Sequence, residues 1–250
     1  MSAAGRQRLD ERLVGDGLAE TRNRAQSLIR AGRVLVDDVP VDKPGTRIRE
    51  QAVIRLRGVD RRFVSRGGEK LAGALEDLGV VPSGRICLDL GASTGGFTDC
   101  LLQSGARHVV AVDVGYGQLD ARLRADPRVT VMERTNARHL KASALQEIPD
   151  LVAIDVSFIS VRLLLPMLAS ELPSCELIIL VKPQFEVGRA QVGKGGVVRD
   201  PELRAAAAAG VVDCAEELGW QAAGEAESRL PGPSGNREIF VRLLAGPADK

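Results

Sequence analysis

The sequence predicts an α/β protein: a mostly parallel sheet covered by helices on both faces, preceded by a small α+β domain. From residue 85 onward, short apolar runs alternate with helical patterns, which is typical of strands joined by crossover helices. The runs carry no charge until they near their carboxyl ends, as strands buried on both faces require. They lie at residues 86–90, 109–113, 129–132, 151–155 and 177–182, and a last, antiparallel strand is predicted at residues 238–241.

The first 59 residues are predicted to form the small domain, with two helices followed by short strands. Leu9 and Leu13 have helical spacing, Thr21 is a suitable N-cap for the second helix, and Gly32 is placed to end it. Residues 1–66 carry a net charge of +6 and the remainder −5. This asymmetry suggests nucleic-acid contact through the basic head, and a solvated basic face without a partner is the alternative. Arginines surround both helices, and those predicted to contact RNA are Arg6, Arg8, Arg22, Arg24, Arg30 and Arg33.

Composition argues against several classes of protein. No apolar run approaches the roughly 20 residues of a membrane span. The first ten residues lack an apolar signal core, so a cytoplasmic location is expected. The four cysteines are scattered without C-x-x-C spacing, which favours reduced buried thiols over a metal site or disulfides.

Residues 86–102 read as a strand, a glycine turn and a helix. Such a turn offers backbone N–H groups and a helix N-terminus to an anionic ligand. Asp113 ends the next strand, 22 residues after Gly91, where an acid typically binds the ribose of a nucleoside. Ser93 takes the place of the middle glycine of a dinucleotide-binding turn, which favours S-adenosylmethionine because this cofactor has no pyrophosphate. Asp89 is placed to meet the ammonium group of this cofactor. The alternative interpretation of the glycine turn is that its glycines serve only a tight connection between strand and helix.

Charged side chains are predicted to converge at the carboxyl ends of the strands, where ligands bind in such sheets. Asp155 and Lys182 follow two of the apolar runs, and Lys70 lies in a helix that opens at residues 65–68. A second cation and partial burial favour the neutral form of a lysine there. Such a lysine could accept a proton from a ribose 2′-hydroxyl during methyl transfer. The alternative interpretations are that Lys70 is a solvated lysine and that these charged residues form only two surface ion pairs.

Residues 183–199 form a long connection rich in glycine. Connections of this length without their own structure are usually functional or disordered, and a mobile lid over an RNA substrate is predicted. Further RNA contacts are predicted outside the head at Arg66, Arg189 and Lys194.

An ordered set of motifs resembles the TlyA family. The motifs are SRGGEKL, LDLGASTGGFTDCLL, VDVGYGQL, ERTNAR, DVSFIS, VKPQFEVG and GPSGN followed by Glu238. The family consists of ribosomal RNA 2′-O-methyltransferases, often labelled haemolysin A-like, whose catalytic domain is similar to FtsJ. The resemblance implies a Rossmann-like class I methyltransferase fold with a seven-stranded sheet. The head resembles the αL-type RNA-binding domain of a small-subunit ribosomal protein, of pseudouridine synthases and of tyrosyl-tRNA synthetases.

The resemblance also implies the site residues. The catalytic tetrad is carried over as Lys70, Asp155, Lys182 and Glu238, with Lys182 as the base. The residues predicted to bind S-adenosylmethionine are Asp89, Gly91, Ser93, Thr94, Gly95, Gly96, Phe97, Asp113, Asn136, Asp155 and Phe158. Asn136 follows the third strand, where it would meet the adenine amino group. The implied target is a cytidine of 23S rRNA within a ribosomal subunit or ribosome, and some members also act on 16S rRNA.

The predicted domain boundaries are residues 1–59 for the RNA-binding domain, 60–65 for a linker and 66–250 for the methyltransferase domain. Family members can carry an Arg-x-Trp-Val motif in the linker, and here residues 61–64 replace the tryptophan with Phe63. The chain ends soon after its last predicted strand, which favours 23S rRNA alone as the target. Two rival functions are a non-catalytic RNA-binding or ribosome-assembly protein and a membrane-active haemolysin.

Overall fold

The computed structural model describes residues 6–19, 21–57, 62–232 and 234–246. The chain divides into two compact units, Met1–Arg61 and Arg62–Lys250. Residues 60 and 61 of the predicted linker lie outside the described residues. Phe63, the linker residue that replaces the tryptophan, is buried in the core of the second unit.

The first unit contains two helices and short strands around its own core. Its elements are β1 (Arg6–Arg8), α1 (Leu9–Gly15), α2 (Arg22–Arg30), β2 (Val34–Val36), β3 (Val39–Pro40), β4 (Arg47–Arg49) and β5 (Ile54–Leu56). The predicted helices are confirmed: the Thr21 side chain accepts a hydrogen bond from the Arg24 amide, and Gly32 follows α2 with φ +66°. Arg6 and Arg8, expected beside the first helix, instead lie in β1, which pairs with β4.

The second unit is a seven-stranded sheet with helices on both faces. Its strands are β6 (Ile86–Leu90), β7 (His108–Val112), β8 (Val129–Met132), β9 (Leu151–Ile154), β10 (Glu176–Val181), β11 (Trp220–Glu227) and β12 (Ile239–Ala245). Their order is β11-β12-β10-β9-β6-β7-β8. The five strands from β10 to β8 run parallel, and β12 and β11 are antiparallel to their neighbours. The predicted fold class is therefore confirmed.

The helices of the second unit cover two apolar faces. They are α3 (Arg66–Asp77), α4 (Gly96–Gln103), α5 (Ala121–Arg124), α6 (Leu165–Glu171), α7 (Pro183–Glu186) and α8 (Pro201–Glu216). One face packs Leu71 of α3 and Leu101 of α4 against the sheet, and the other packs Leu168 of α6 and Val211 of α8. Because both faces are covered, the sheet leaves its strand ends for ligands.

Strand β11 was not predicted. After Trp220 its sequence contains alanine, glutamate, glutamine and glycine, which are not strand formers, and Gly224 lies at a register shift with φ +153°. It forms because β12 presents an edge whose backbone groups require partners.

The prediction of a connection without its own structure at residues 183–199 is wrong. The segment contains α7, a 3-10 turn at Arg189–Gln191 and a bridge between Gly193 and Val197. The buried Asn236 side chain donates to the Gly196 carbonyl (2.8 Å) and accepts from the Val198 amide (2.9 Å). A short run of helix, a turn and one buried amide therefore hold this segment.

Candidate active site

Asp155 and Lys182 meet at the carboxyl edge of the sheet. Each directly follows a strand, β9 and β10, and these strands are parallel neighbours. Lys182 Nζ lies 2.6 Å from Asp155 Oδ1 and donates a hydrogen bond of 2.7 Å to Ser157 Oγ. The Lys182 side chain is only 12% exposed, so its amine is largely shielded from water.

Lys70 and Glu238 form a second ion pair, which is almost completely buried. Lys70 is the fifth residue of α3 rather than part of its first turn, so its burial, not the helix end, sets its environment. Glu238 directly precedes β12, and Val181 pairs with Ile239 in the β10–β12 register. Because β10 and β12 are antiparallel, Glu238 and Lys182 lie just beyond this pair at the same end of the sheet. The four residues of the predicted tetrad are therefore at one edge of the sheet.

The glycine turn between β6 and α4 has a backbone that side chains would obstruct. Gly91 has φ +91°, and a Cβ there would lie 2.5 Å from the Asp155 carbonyl oxygen. Gly95 has φ +94°, and a Cβ there would overlap the Leu123 side chain. Ser93 adopts a left-handed conformation at φ +48°, which is uncommon for a residue other than glycine. The turn is therefore a tight cradle that presents backbone groups.

Asp113 holds this cradle from the end of β7. One carboxylate oxygen accepts from the Ser93 amide (2.8 Å) and the other from the Gly115 amide (2.6 Å). A carboxylate has about four acceptor positions, so these bonds leave capacity for two hydroxyl groups of a ribose. The side chain is half-buried, which keeps it open to a ligand.

Asp89 is a fully buried carboxylate on β6 with one oxygen left over. Oδ2 accepts from the Thr98 hydroxyl (2.6 Å), whereas Oδ1 has no hydrogen-bond partner among the described residues. Burial, with smaller contributions from the charges of Asp155 and Asp113, raises the pKa of Asp89 to about 7, although the Thr98 hydrogen bonds lower it. An unpaired buried oxygen beside a glycine cradle fits a ligand that carries a cationic donor, as S-adenosylmethionine does.

The remaining cofactor candidates divide into two groups. Thr94 is exposed and therefore available to a ligand, whereas Gly96 is buried at the start of α4, where a Cβ would lie 2.9 Å from the Gly68 amide nitrogen. The Phe97 side chain points into the core, where its ring stacks on Phe240 with centroids 6.1 Å apart. Because Phe97 is 2% exposed, its ring is not available to a cofactor, contrary to the expectation.

Asn136 and Phe158 lie at the surface of the same edge. Asn136 Oδ1 accepts from the Arg138 amide (3.0 Å), which leaves its other lone pair for an adenine amino group. Phe158 is 89% exposed at φ +70°, with its ring tilted against Phe185 at a centroid distance of 5.5 Å. An exposed aromatic ring in a strained backbone is typical of a binding residue.

The arginines predicted to contact RNA in the first unit have different surroundings. Arg6, Arg24 and Arg30 are exposed, and Arg33 donates to the Arg57 carbonyl (2.7 Å). Arg8 and Arg22 are held by one residue that the sequence analysis missed. In the second unit, Arg66 donates to the Pro231 carbonyl (3.1 Å), and Arg189 and Lys194 are exposed on the segment after α7.

The missed residue is Asp10, which is completely buried. Its carboxylate accepts from Arg8 (3.0 Å for each of two bonds), Arg22 (3.1 Å) and Gln26 (3.0 Å). The Arg8 hydrogen bonds hold the pKa of Asp10 far below its usual range, with Gln26 and Arg22 contributing in the same direction. The sequence did contain a signal for Asp10: this acid directly follows the apolar helix position Leu9 and lies two residues from Arg8. Ser157, two residues after Asp155, was missed in the same way.

Within residues 6–19, 21–57, 62–232 and 234–246, no group of three or more His, Cys, Asp or Glu side chains could hold a metal ion. No helix in the same ranges is long and apolar enough to span a membrane.

The sheet order, the glycine cradle and the acids at the strand ends define an α/β protein of the methyltransferase class. The family model for FtsJ-like methyltransferases matches residues 63–244, and that for the S4 domain matches residues 7–54. The chain belongs to the FtsJ-like methyltransferase family, in its TlyA branch, and is an enzyme.

Three relatives illustrate this membership. The chain is 52% identical over 242 residues to the 16S/23S rRNA (cytidine-2′-O)-methyltransferase TlyA of Mycobacterium tuberculosis, covering 96% of this chain and 90% of that protein. It is 40% identical over 243 residues to Hemolysin A of Brachyspira hyodysenteriae, covering 95% and 99%. A solved structure from Streptococcus thermophilus that carries the hemolysin name has 40% identity and a TM-score of 0.74, with 98% of this chain and 90% of that chain covered.

Proposed function

We propose that this protein transfers a methyl group from S-adenosylmethionine to the ribose 2′-hydroxyl of a cytidine in ribosomal RNA. The observation that carries the proposal is the contact of Lys182 with Asp155 and Ser157 at the sheet edge, beside the glycine cradle and the buried Lys70–Glu238 pair. The substrate class comes from the name of the Mycobacterium tuberculosis relative, which specifies 16S and 23S rRNA.

The cofactor would be held by residues of three strand ends. The backbone of residues 91–96 would surround its amino-acid end, the free oxygen of Asp89 would accept from its ammonium group, and Asp113 would bind its ribose hydroxyls. Asn136 and Phe158 would contact the adenine side of the site. When bound, S-adenosylmethionine supplies an electrophilic methyl group on a sulfonium centre.

The work of the tetrad is to move one proton. Lys182 Nζ, in its neutral form, accepts the proton of the ribose 2′-hydroxyl, and Asp155 stabilises the ammonium that results. Glu238 fixes Lys70 in its buried position at the same end of the sheet. General-base assistance of this kind is typically worth about 10²–10⁴ in rate.

The first unit supports the proposal of an RNA substrate. It matches the S4 domain and carries the exposed arginines Arg6, Arg24 and Arg30. Arginine and lysine contacts to phosphate supply most of the affinity of such domains without reading sequence. The exposed Arg189 and Lys194 would extend the contact on the second unit.

The deciding experiment is a map of 2′-O-methyl marks on rRNA from cells with and without this protein. We expect a cytidine mark in 23S rRNA that disappears when the gene is removed, and the map also reports whether 16S rRNA gains a mark. Complementation with Lys182→Ala is expected not to restore the mark. An identical methylation map in both strains would contradict the proposal.

Lys182→Ala tests the base assignment with purified protein. We expect single-turnover methyl transfer to ribosomal particles to fall by at least about 10²-fold, because the 2′-hydroxyl loses its proton acceptor. Cofactor affinity measured by calorimetry should stay unchanged. Lys141→Ala is the matched control, since Lys141 is an exposed lysine of the same unit that pairs with Glu171. Near-normal turnover of Lys182→Ala would remove Lys182 as the base.

A further inference from the structure

Ser157 makes the contact that gives the Lys182 amine its direction. Its hydroxyl accepts from Lys182 Nζ at 2.7 Å. Asp155 Oδ1 is as close to this nitrogen, at 2.6 Å, yet it makes no hydrogen bond of regular geometry to any described residue. Asp155 therefore attracts the amine by charge, and the directional bond is the one to Ser157.

The number of hydrogens on the amine decides where its lone pair points. A neutral lysine amine has two N–H bonds and one lone pair in a tetrahedral arrangement. One N–H is directed to the side of Asp155, outside regular hydrogen-bond geometry, because a lone pair 2.6 Å from a carboxylate oxygen would be repelled. The second N–H is donated to Ser157. The lone pair is left with the one remaining direction.

We infer that Ser157 is a positioning residue whose hydroxyl oxygen holds the Lys182 lone pair toward the incoming ribose 2′-hydroxyl. The inference rests on the proposed function, in which Lys182 is the base. In the transfer, the O–H bond of the 2′-hydroxyl breaks and a third N–H bond forms on Nζ. The resulting ammonium directs its three hydrogens at Asp155, Ser157 and the ribose oxygen, so no group changes partner during the step.

Loss of the Ser157 hydroxyl would free rotation about the Cε–Nζ bond of Lys182. The lone pair would then populate directions that face away from the substrate, and small errors in the alignment of reacting groups can cost up to about 10²-fold in rate. Ser157 is exposed, so its Oγ can be removed without leaving a cavity in the core. The substitution should therefore act on the amine rather than on folding.

The test compares Ser157→Ala with Ser157→Thr in the full-length protein. In single-turnover methyl transfer at saturating rRNA, we expect Ser157→Ala to be slower by about tenfold and Ser157→Thr, which keeps the hydroxyl oxygen, to stay within about twofold of wild type. The rRNA concentration at half-saturation and the calorimetric affinity for S-adenosylmethionine should not change in either variant.

Three outcomes would overturn the inference. They are a wild-type rate for Ser157→Ala, a threonine variant as slow as the alanine variant, or a loss of rRNA affinity in Ser157→Ala, which would make Ser157 a substrate contact instead. Lys182→Ala, measured in parallel, separates this inference from the proposed function. If Lys182→Ala is inactive while Ser157→Ala is normal, only the role of Ser157 fails, whereas an active Lys182→Ala removes the base itself.

Discussion

Asp89 shows how one buried charge can link folding, pH and cofactor binding. Its carboxylate is completely buried, has one hydrogen-bonded oxygen and one unpaired oxygen, and lies near two other acids. Burial raises the pKa of Asp89 to about 7, so its ionised form is costly at neutral pH. A bound cationic group would offset that cost.

The pH dependence of stability should reveal this cost. The pKa of Asp89 rises from the model-peptide value of 3.8 to about 7 on folding, so protonated Asp89 favours the folded state. That contribution is complete below about pH 4 and is lost as the pH rises through about 7, a change of roughly 4 kcal/mol. We expect the free energy of unfolding, measured in urea at pH 5 and pH 8, to decrease less in Asp89→Asn than in wild type.

Asp126→Asn is the control for this measurement. The Arg128 hydrogen bond lowers the pKa of Asp126, so its contribution is already complete above about pH 4 and should stay constant between pH 5 and pH 8. Equal pH slopes in wild type and Asp89→Asn would contradict the prediction.

At the scale of elements, the turn between β6 and α4 depends on close backbone approach. Gly91 is packed against the Asp155 backbone, so the same contact that shapes the glycine turn also places Asp155. Asp113 then ties the cradle to the end of β7 through the Ser93 amide. The glycine turn, Asp155 and Asp113 are therefore coupled through two short contacts.

Gly91→Ala tests this coupling. The added methyl group must displace the Asp155 carbonyl, 2.5 Å away, and also forces alanine into φ +91°. We expect a loss of stability of more than about 2 kcal/mol in urea unfolding, as for other strained backbone positions. We also expect cofactor affinity by calorimetry to fall at least about tenfold, which corresponds to about 1.4 kcal/mol, because the added methyl group displaces the backbone of the turn.

Gly79→Ala separates strain from contact. Gly79 also has positive φ, +62°, but a Cβ there meets nothing within 4 Å. Its alanine variant should lose only about 1 kcal/mol of stability and bind the cofactor normally. If both variants behaved alike, the contact with Asp155 would have no special role.

At the scale of the whole molecule, the two units have separate cores. Leu9, Leu13 and Ile29 pack in the first unit, whereas the second unit packs both faces of its sheet. Units with their own cores can in principle fold alone. The net charge of +4 on residues 1–61 (13 Lys and Arg against 9 Asp and Glu) is therefore separable from the chemistry of the sheet.

Deletion of residues 1–60 should separate RNA binding from cofactor binding. We expect calorimetric affinity for S-adenosylmethionine to be preserved, because the cradle lies wholly in the second unit. RNA affinity should weaken and lose part of its salt dependence, because fewer phosphate contacts release fewer counterions. The full-length triple variant of Arg6, Arg24 and Arg30 to glutamate is the matched test of charge alone. Unchanged RNA binding in both proteins would assign the basic head another role.

Several features of the fold and site could be predicted because they depend on local pattern. The strands β6, β7, β9 and β10 are short, continuous apolar runs, a pattern that is typical of buried strands. Asp89, Asp113, Asp155 and Lys182 sit at or near the ends of these strands, and parallel topology alone brings such ends together. The catalytic roles of the tetrad came from the resemblance and stay a prediction.

Other features required the tertiary structure, because partners distant in sequence create them. Strand β11 has weak strand propensity and forms against the open edge of β12. The side chain of Phe97 faces Phe240 instead of a ligand, and the segment after α7 is held by Asn236, 38 residues beyond Val198.

The sequence by itself determined the parallel sheet, the glycine turn and which charged residues lie at the carboxyl ends of the strands, since periodicity and strand ends are properties of neighbouring residues. Only the tertiary structure decided that Lys70 is buried against Glu238, that Asp89 keeps an oxygen without a partner and that Ser157 holds Lys182. The physical reason is that hydrogen-bond geometry and desolvation depend on atoms brought together from separate parts of the chain.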